Sequence, residues 1–238
     1  MSVRVFQNET FTCFDDRDSG RVFEDLEFRN CQFNDCKISV TDNLLLRSTV
    51  RRVLLIGCRV NAGTIGTAIV EESAVDGLRI AEIFQTFGAV FKHVTLRGKI
   101  DRLMLVNDIL PPMHMHKEFW DDEIAKVRAA NLEYYRHVDW ALDISQGEFK
   151  ELDIRGIPGD LIRRDPATQI LVRREQALEG RWKSLPLHNP SLWELSFNML
   201  LERGDSDMVF VAPKRDRSFQ QDLADLQLLR EAGVAEPD

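Results

Sequence analysis

Residues 21–40, RVFEDLEFRNCQFNDCKISV, decide the fold. Phe23, Phe28, Phe33 and Ile38 recur there at every fifth position. The next three blocks of equal length are TDNLLLRSTVRRVLLIGCRV (41–60), NAGTIGTAIVEESAVDGLRI (61–80) and AEIFQTFGAVFKHVTLRGKI (81–100). All four blocks end on a branched apolar residue, Val40, Val60, Ile80 and Ile100, and Val50, Val70, Val90 and Leu110 form a second column. A fixed period of this length marks a solenoid, in which each block is one coil stacked on the last. Side chains alternate along a strand, so a run of five extends briefly and then bends. Four such runs close a square-sided coil, and stacked coils lie about 4.8 Å apart, the strand spacing of a sheet. No single coil buries its apolar side; the stack does.

Within residues 21–40, Leu26 stands two places before Phe28, Cys31 two before Phe33 and Cys36 two before Ile38. In this the block resembles the pentapeptide-repeat family, which places a small residue two positions before a central Leu or Phe, both facing inward. The resemblance implies a right-handed four-sided β-helix. The expected fold class is mainly β with an α+β C-terminal part: a right-handed parallel β-helix of about four coils over 1–110, a linker over 111–118, and a helix-rich α+β region over 119–238. Val3, Val5, Phe11 and Phe14 lie before the repeat and are expected to form strands capping its open end, because a bare end exposes apolar side chains and strand edges.

The chain of 238 residues is 44% hydrophobic and 29% charged, enough for a sizeable core and two domains. No apolar run is long enough to span a membrane, and no basic-then-apolar leader is visible, which points to a cytoplasmic protein. The four cysteines, Cys13, Cys31, Cys36 and Cys58, then read as small ladder residues rather than disulfides, with Cys36 and Cys58 as neighbours on successive coils. The net charge of −8 is uneven: residues 1–110 hold 14 basic and 15 acidic side chains, residues 111–238 hold 17 and 24. An acidic chain lacks the broad basic surface that nonspecific nucleic-acid binding needs. Some pentapeptide-repeat proteins mimic DNA with an acidic β-helix, but coils this near to neutral do not match that pattern.

Past the repeat, Pro111-Pro112 stops the regular pattern. His114-x-His116, with Glu118, Asp121 or Asp122 nearby, is a candidate metal site, since alternate residues of an extended segment share one side. Phe119 to His137 reads as a helix, and Phe149, Leu152 and Ile154 as a strand. The similar runs Leu161–Asp165 and Leu171–Glu175 flank Asp165-Pro166 and read as a hairpin. They carry Arg163, Arg164, Arg173 and Arg174, the one dense basic cluster of the acidic half and the candidate partner-binding site, because guanidinium forks suit carboxylates. The same arginines have Asp160, Asp165 and Glu175 close by to pair with. Asn189-Pro190 opens a helix closed by Gly204, and Ser218-x-x-Gln221 has the form of a capping box before a last helix.

A solenoid offers a rigid lateral surface, and no nucleophile–base pair, phosphate loop or cofactor motif is visible. The expected function is therefore a non-enzymatic protein-binding or scaffold protein, an inhibitor or immunity-type partner, with no cofactor. The alternative is a carbohydrate-active or metal-dependent enzyme using Glu71, Glu72, Asp76 and Glu82 on a coil face.

Overall fold

The computed structural model describes residues 3–109 and 117–236, with the backbone alone for residues 117–120. The protein is mainly β, 43% strand and 26% helix, with helices in its C-terminal region. Its main sheet has 14 strands, is closed, and pairs them in parallel, tier upon tier. Arg4–Gln7, Thr10–Thr12 and Asp15–Arg17 form the first tier and pair with Val22–Arg29 and Gln32–Val40. That second tier pairs with Thr49–Ile65, which pairs with Ile69–Glu71, Ala74–Ile80 and Phe84–Phe87. The fifth tier is Val90–Lys92 with Val94–Val106.

Within each tier the chain bends at residues of left-handed backbone. They stand five apart: Asn8, Cys13 and Asp18; Asp25, Asn30 and Asp35; Arg52 and Gly57; Glu72 and Gly77; Gly88, His93 and Gly98. Glycine enters this conformation freely, and Asn and Asp tolerate it better than other side chains, so these residue types collect at the corners. Between corners the apolar residues face inward. The Phe6 and Phe28 rings stack at 5.0 Å and those of Phe11 and Phe33 at 5.4 Å, one ladder on each of two walls.

Two expectations are corrected by this register. Residues 4–17 are not a separate cap; they are a full tier, 22 residues before their partners (Phe6 opposite Phe28, Phe11 opposite Phe33). The period of twenty holds for one step, where Val50 faces Val70 and Val60 faces Ile80. The step before it is 27, with Phe28 opposite Leu55 and Ile38 opposite Ile65, so Val40 and Val60 are not partners. The extra length is residues 41–48, a loop in which Asn43 accepts the Leu45 N–H at 3.0 Å and starts the short turn Leu44–Leu46. Its Leu44 packs on the cluster of Ile109 and Val127, which gives the loop its purpose: it meets the helix outside the sheet. The longer step also re-pairs the cysteines. Cys58 lies beside Cys31, and Cys36 faces Gly63. All four thiols are free, and burial pushes the Cys58 thiol up.

Close approach between tiers is tightest at Gly66, where a Cβ would sit 2.3 Å from the Ser39 carbonyl oxygen. Backbone on both sides cannot yield to it, so Gly66→Ala is expected to cost about 1–3 kcal/mol, read from urea midpoints by circular dichroism.

Helix α1, Lys117–Tyr135, lies against the outside of the sheet. The Tyr135 hydroxyl accepts the Phe91 N–H at 3.3 Å. Asn131, fully buried, donates to the Gly88 carbonyl at 3.1 Å and to Asn107 Oδ1, while Arg47 donates to Asn131 and to the Gly88 carbonyl. Burial pulls the Arg47 guanidinium down to about 10. Beyond α1 the parallel pairing resumes, past the boundary expected at 111–118. Gly147–Arg155 follows Val94–Val106 from Gly98–Gly147 to Val106–Arg155, Leu142–Asp143 pairs with Val94 and Thr95, and Ile162–Arg163 pairs with Leu142–Asp143.

Asp108 ties this region to the rest. Burial alone would raise its carboxyl, but hydrogen bonds from Arg128 at 2.5 Å and from Arg203 outweigh it and hold it below the usual carboxylate range. A depressed carboxylate adds stability at pH values above its unfolded value near 4, and that part is lost as pH falls through the folded value. Asp108→Asn is therefore expected to flatten the acid limb of the stability profile below about pH 4, in urea titrations at stepped pH.

The hairpin expected at 161–175 does not form. Ile162–Arg163 belongs to the large sheet, whereas Gln169–Arg173 pairs antiparallel with Asp207–Val211. Asp165 makes the break, accepting from the Ala167 N–H and the Thr168 hydroxyl, both at 3.0 Å. Around this two-stranded sheet pack α2 (Arg174–Leu178), α3 (Pro190–Arg203) and α4 (Phe219–Glu231), enclosing Trp193, Phe197, Leu226 and Leu229. Leu171 and Val209 reach the core of the large sheet. The capping box at Ser218 is also absent: its hydroxyl donates to Asp216 and Asp222 instead of accepting a helix N–H. No helix among the described residues is long and apolar enough to cross a membrane.

Candidate functional site

The four clustered arginines are not one surface. Arg173 bridges Glu236 at 2.6 Å, Asp160 at 2.6 Å and Asp207 at 3.1 Å. Arg174 donates to the carbonyls of Leu200 and Leu201 at the end of α3, and Arg164 to those of Gly159 and Ile162. These three hold the C-terminal layer together. Arg163 alone is exposed, its guanidinium 4.1 Å from the centre of the Trp140 ring.

Trp140 is the middle of a ladder. On its other side His93 stacks at 4.7 Å, and His93 Nε2 lies 2.5 Å from Asp139 Oδ1. That hydrogen bond holds the Asp139 carboxyl below its ordinary value. Tier pairing explains the assembly: His93 sits at a left-handed corner, and its N–H donates to the Trp140 carbonyl at 3.2 Å. Towards the first tier the same wall carries charges of alternating sign. Glu24 faces Arg51, Arg51 faces Glu71, and Glu71 faces Lys92. Beside that column, Arg52 pairs with Asp25 at 2.6 Å and approaches Glu72 at 3.8 Å. The cross-strand pairs neutralise one another, so this wall shows neither a basic stripe nor an acidic one. The aromatic–cation stack at its far end is the part not consumed by such pairing.

The acids singled out for an enzyme do not converge. Glu71 accepts the Tyr134 hydroxyl at 2.9 Å beside Glu72 at one corner, Asp76 pairs with Arg97 at the next, and Glu82 lies on an exposed bend. Burial pushes the Tyr134 phenol up, and its hydrogen bond to Glu71 adds to this. Asp207 accepts the Gly159 N–H at 2.7 Å, a structural tie. His114 and His116 lie outside the described residues. Among the described residues no group of three or more His, Cys, Asp and Glu is placed to hold a metal ion.

The sequence reading missed the interior. A cavity of about 580 Å³ runs inside the closed sheet, lined by Phe6, Phe11, Phe14, Phe23, Phe28 and Phe33, with aliphatic residues deeper. Inward residues of the first two tiers are only half-buried, whereas Ile100 and Leu105 in the fifth are at 0% and 3% exposure. Among the described residues the interior is thus open at the first tier and filled at the other end. The open mouth lets solvent or a ligand fill it. The signal in the sequence was the pair Phe6 and Phe11, which repeat the five-residue spacing of Phe28 and Phe33 upstream of Arg21.

No protein-family model, curated protein or solved structure matches this chain, so these two features, the Trp140 ladder and the open interior, are read from their own geometry.

Proposed function

We propose that this protein is a non-enzymatic protein-binding scaffold of the inhibitor or immunity type, built as a right-handed parallel β-helix of the pentapeptide-repeat kind. Two regularities support the fold: inward Phe residues five apart, and left-handed corners five apart in every tier. One observation carries the function: the Trp140 ring is held between His93 and Arg163 on the outside of a rigid wall. Tryptophan and arginine dominate the energetics of protein interfaces, and a side chain already fixed by its neighbours loses little entropy on docking. The partner meets the edge of the indole and a cation together, which suits an acidic surface with an exposed apolar or aromatic side chain.

The test uses a partner captured from native lysate and then purified. Its affinity for the wild type is compared with that for Trp140→Ala and Arg163→Glu. Each substitution is expected to weaken binding about thirtyfold, a loss of about 2 kcal/mol, with Tm within a few degrees of wild type. Affinity unchanged in both variants would remove this wall as the docking site.

A further inference from the structure

We propose that the open interior is a binding site for a linear aliphatic carboxylate, taken tail-first with its head group on Arg4. This stands on observations separate from the Trp140 wall. Arg4 pairs with Leu26 and Phe6 with Phe28, so Arg4 shares the inward face with the Phe column. An arginine facing the mouth of a tube otherwise lined almost wholly by apolar side chains calls for an explanation. Its guanidinium lies 4.6 Å from the Phe6 ring centre, and among the described residues it has no ion pair. The carboxylate that lines the same cavity, Glu24, is committed to Arg51 at 2.7 Å and Arg52 at 2.9 Å. The mouth therefore offers one uncommitted cation above an apolar shaft.

Shape agrees with this chemistry. The lining runs from Arg4 in the first tier to Phe84 in the fourth, three steps of about 4.8 Å, or about 14 Å of depth. The volume of about 580 Å³ lies within the range of about 300–1,000 Å³ typical of small-molecule pockets. A long, narrow apolar shaft with one charged group at its opening fits an unbranched chain with a single anionic end. A second copy docked end to end fits less well. Four sides of five residues at about 3.3 Å enclose roughly 270 Å² per partner, far below the about 800 Å² of a stable interface.

Isothermal titration calorimetry of the full chain with dodecanoate, dodecan-1-ol and butyrate tests the assignment. Dodecanoate is expected to bind one to one, dodecan-1-ol more weakly, and butyrate not at all. Arg4→Gln, at an exposed position, is expected to weaken dodecanoate about tenfold and leave dodecan-1-ol unchanged, since only the first meets the guanidinium. Leu55→Trp, with circular dichroism retained, is expected to abolish both by filling the shaft. The assignment is overturned by any of these: no dodecanoate binding at millimolar concentration, equal affinity in Arg4→Gln, or undiminished binding in a folded Leu55→Trp. It is also overturned if phosphatidylglycerol vesicles bind while monomeric dodecanoate does not, or if sedimentation shows a dimer that excludes the ligand.

Discussion

Asp225→Ala is expected to lower the unfolding free energy by about 3–5 kcal/mol. Asp225, on α4, is fully buried and accepts four hydrogen bonds: from the N–H groups of His188 (2.7 Å) and Asn189 (2.9 Å), from His188 Nδ1 (2.8 Å) and from Trp193 Nε1 (2.8 Å). It pins the loop before α3 and the Trp193 ring of the second core. Removal leaves several donors without an acceptor, at about 1–3 kcal/mol for each buried one. Burial works to raise this carboxyl, but the surrounding N–H donors win and hold it below its ordinary value. Its contribution is therefore present above the usual carboxylate range and is lost as pH falls through the folded value. Asp222, one helical turn away, is raised by burial and has the opposite sign, so it offsets part of that acid loss. Urea titration of Asp225→Ala and Asp225→Asn measures the effect. The amide retains one acceptor oxygen and is expected to lose less. A loss under 1 kcal/mol in Asp225→Ala would contradict this reading.

Phe149→Ala is expected to cost about 3–5 kcal/mol as well, for a different reason. Phe149 is at 1% exposure and faces Ile100 across the step that spans α1. The fit is close enough that a Cβ on Gly147 would lie 2.2 Å from its ring. Its carbonyl accepts the Arg215 N–H at 2.9 Å, so the strand also receives the chain returning from the second core. Truncation leaves a cavity at the covered end of the sheet, where Phe149 is fully buried. Differential scanning calorimetry reads the loss as a fall in Tm, and a change of less than a degree would show that this strand does not carry the contact.

Much of the parallel stack was legible because an inward apolar residue must recur each time the chain passes the same wall. Phe23, Phe28, Phe33 and Ile38 do face Val50, Leu55, Val60 and Ile65, themselves five apart. The length of each step was less legible, because the loop at 41–48 adds residues without disturbing the pattern on either side. Asn43 and the turn it starts belong to that loop. The corners carried an equally regular signal in Asn8, Cys13 and Asp18 and in Asp25, Asn30 and Asp35, but these are polar and surface-facing types that periodicity of apolar residues does not register.

The candidate sites were harder for a physical reason: charge in a sequence does not reveal who neutralises it. Arg163 and Arg173 look alike in their two similar runs. One lies on Trp140 in the open, and the other is enclosed by the nearby Asp160 and by Asp207 and Glu236 from distant segments. The hairpin failed for a related reason, since Gln169–Arg173 found its partner in Asp207–Val211, far along the chain. Val3, Val5, Phe11 and Phe14 were read as a cap because nothing in a local window shows that Val5 stands opposite Glu27 and Phe11 opposite Phe33.

The central structural claim is that the parallel stack continues across α1, with Gly147–Arg155 laid on the fifth tier in fixed register. Cysteine cross-linking tests it most directly. Lys99 and Glu148 are paired and both exposed, whereas Lys150 lies two residues further along the same strand. Neighbouring strands lie within the Cα separation that a disulfide spans. In a Cys13→Ser background, Lys99→Cys with Glu148→Cys is expected to oxidise to a single intramolecular disulfide, and Lys99→Cys with Lys150→Cys to remain reduced under the same conditions. Cross-linking of 99 to 150 in preference to 148, or of neither pair in a folded protein, would contradict the register and with it the continuous stack.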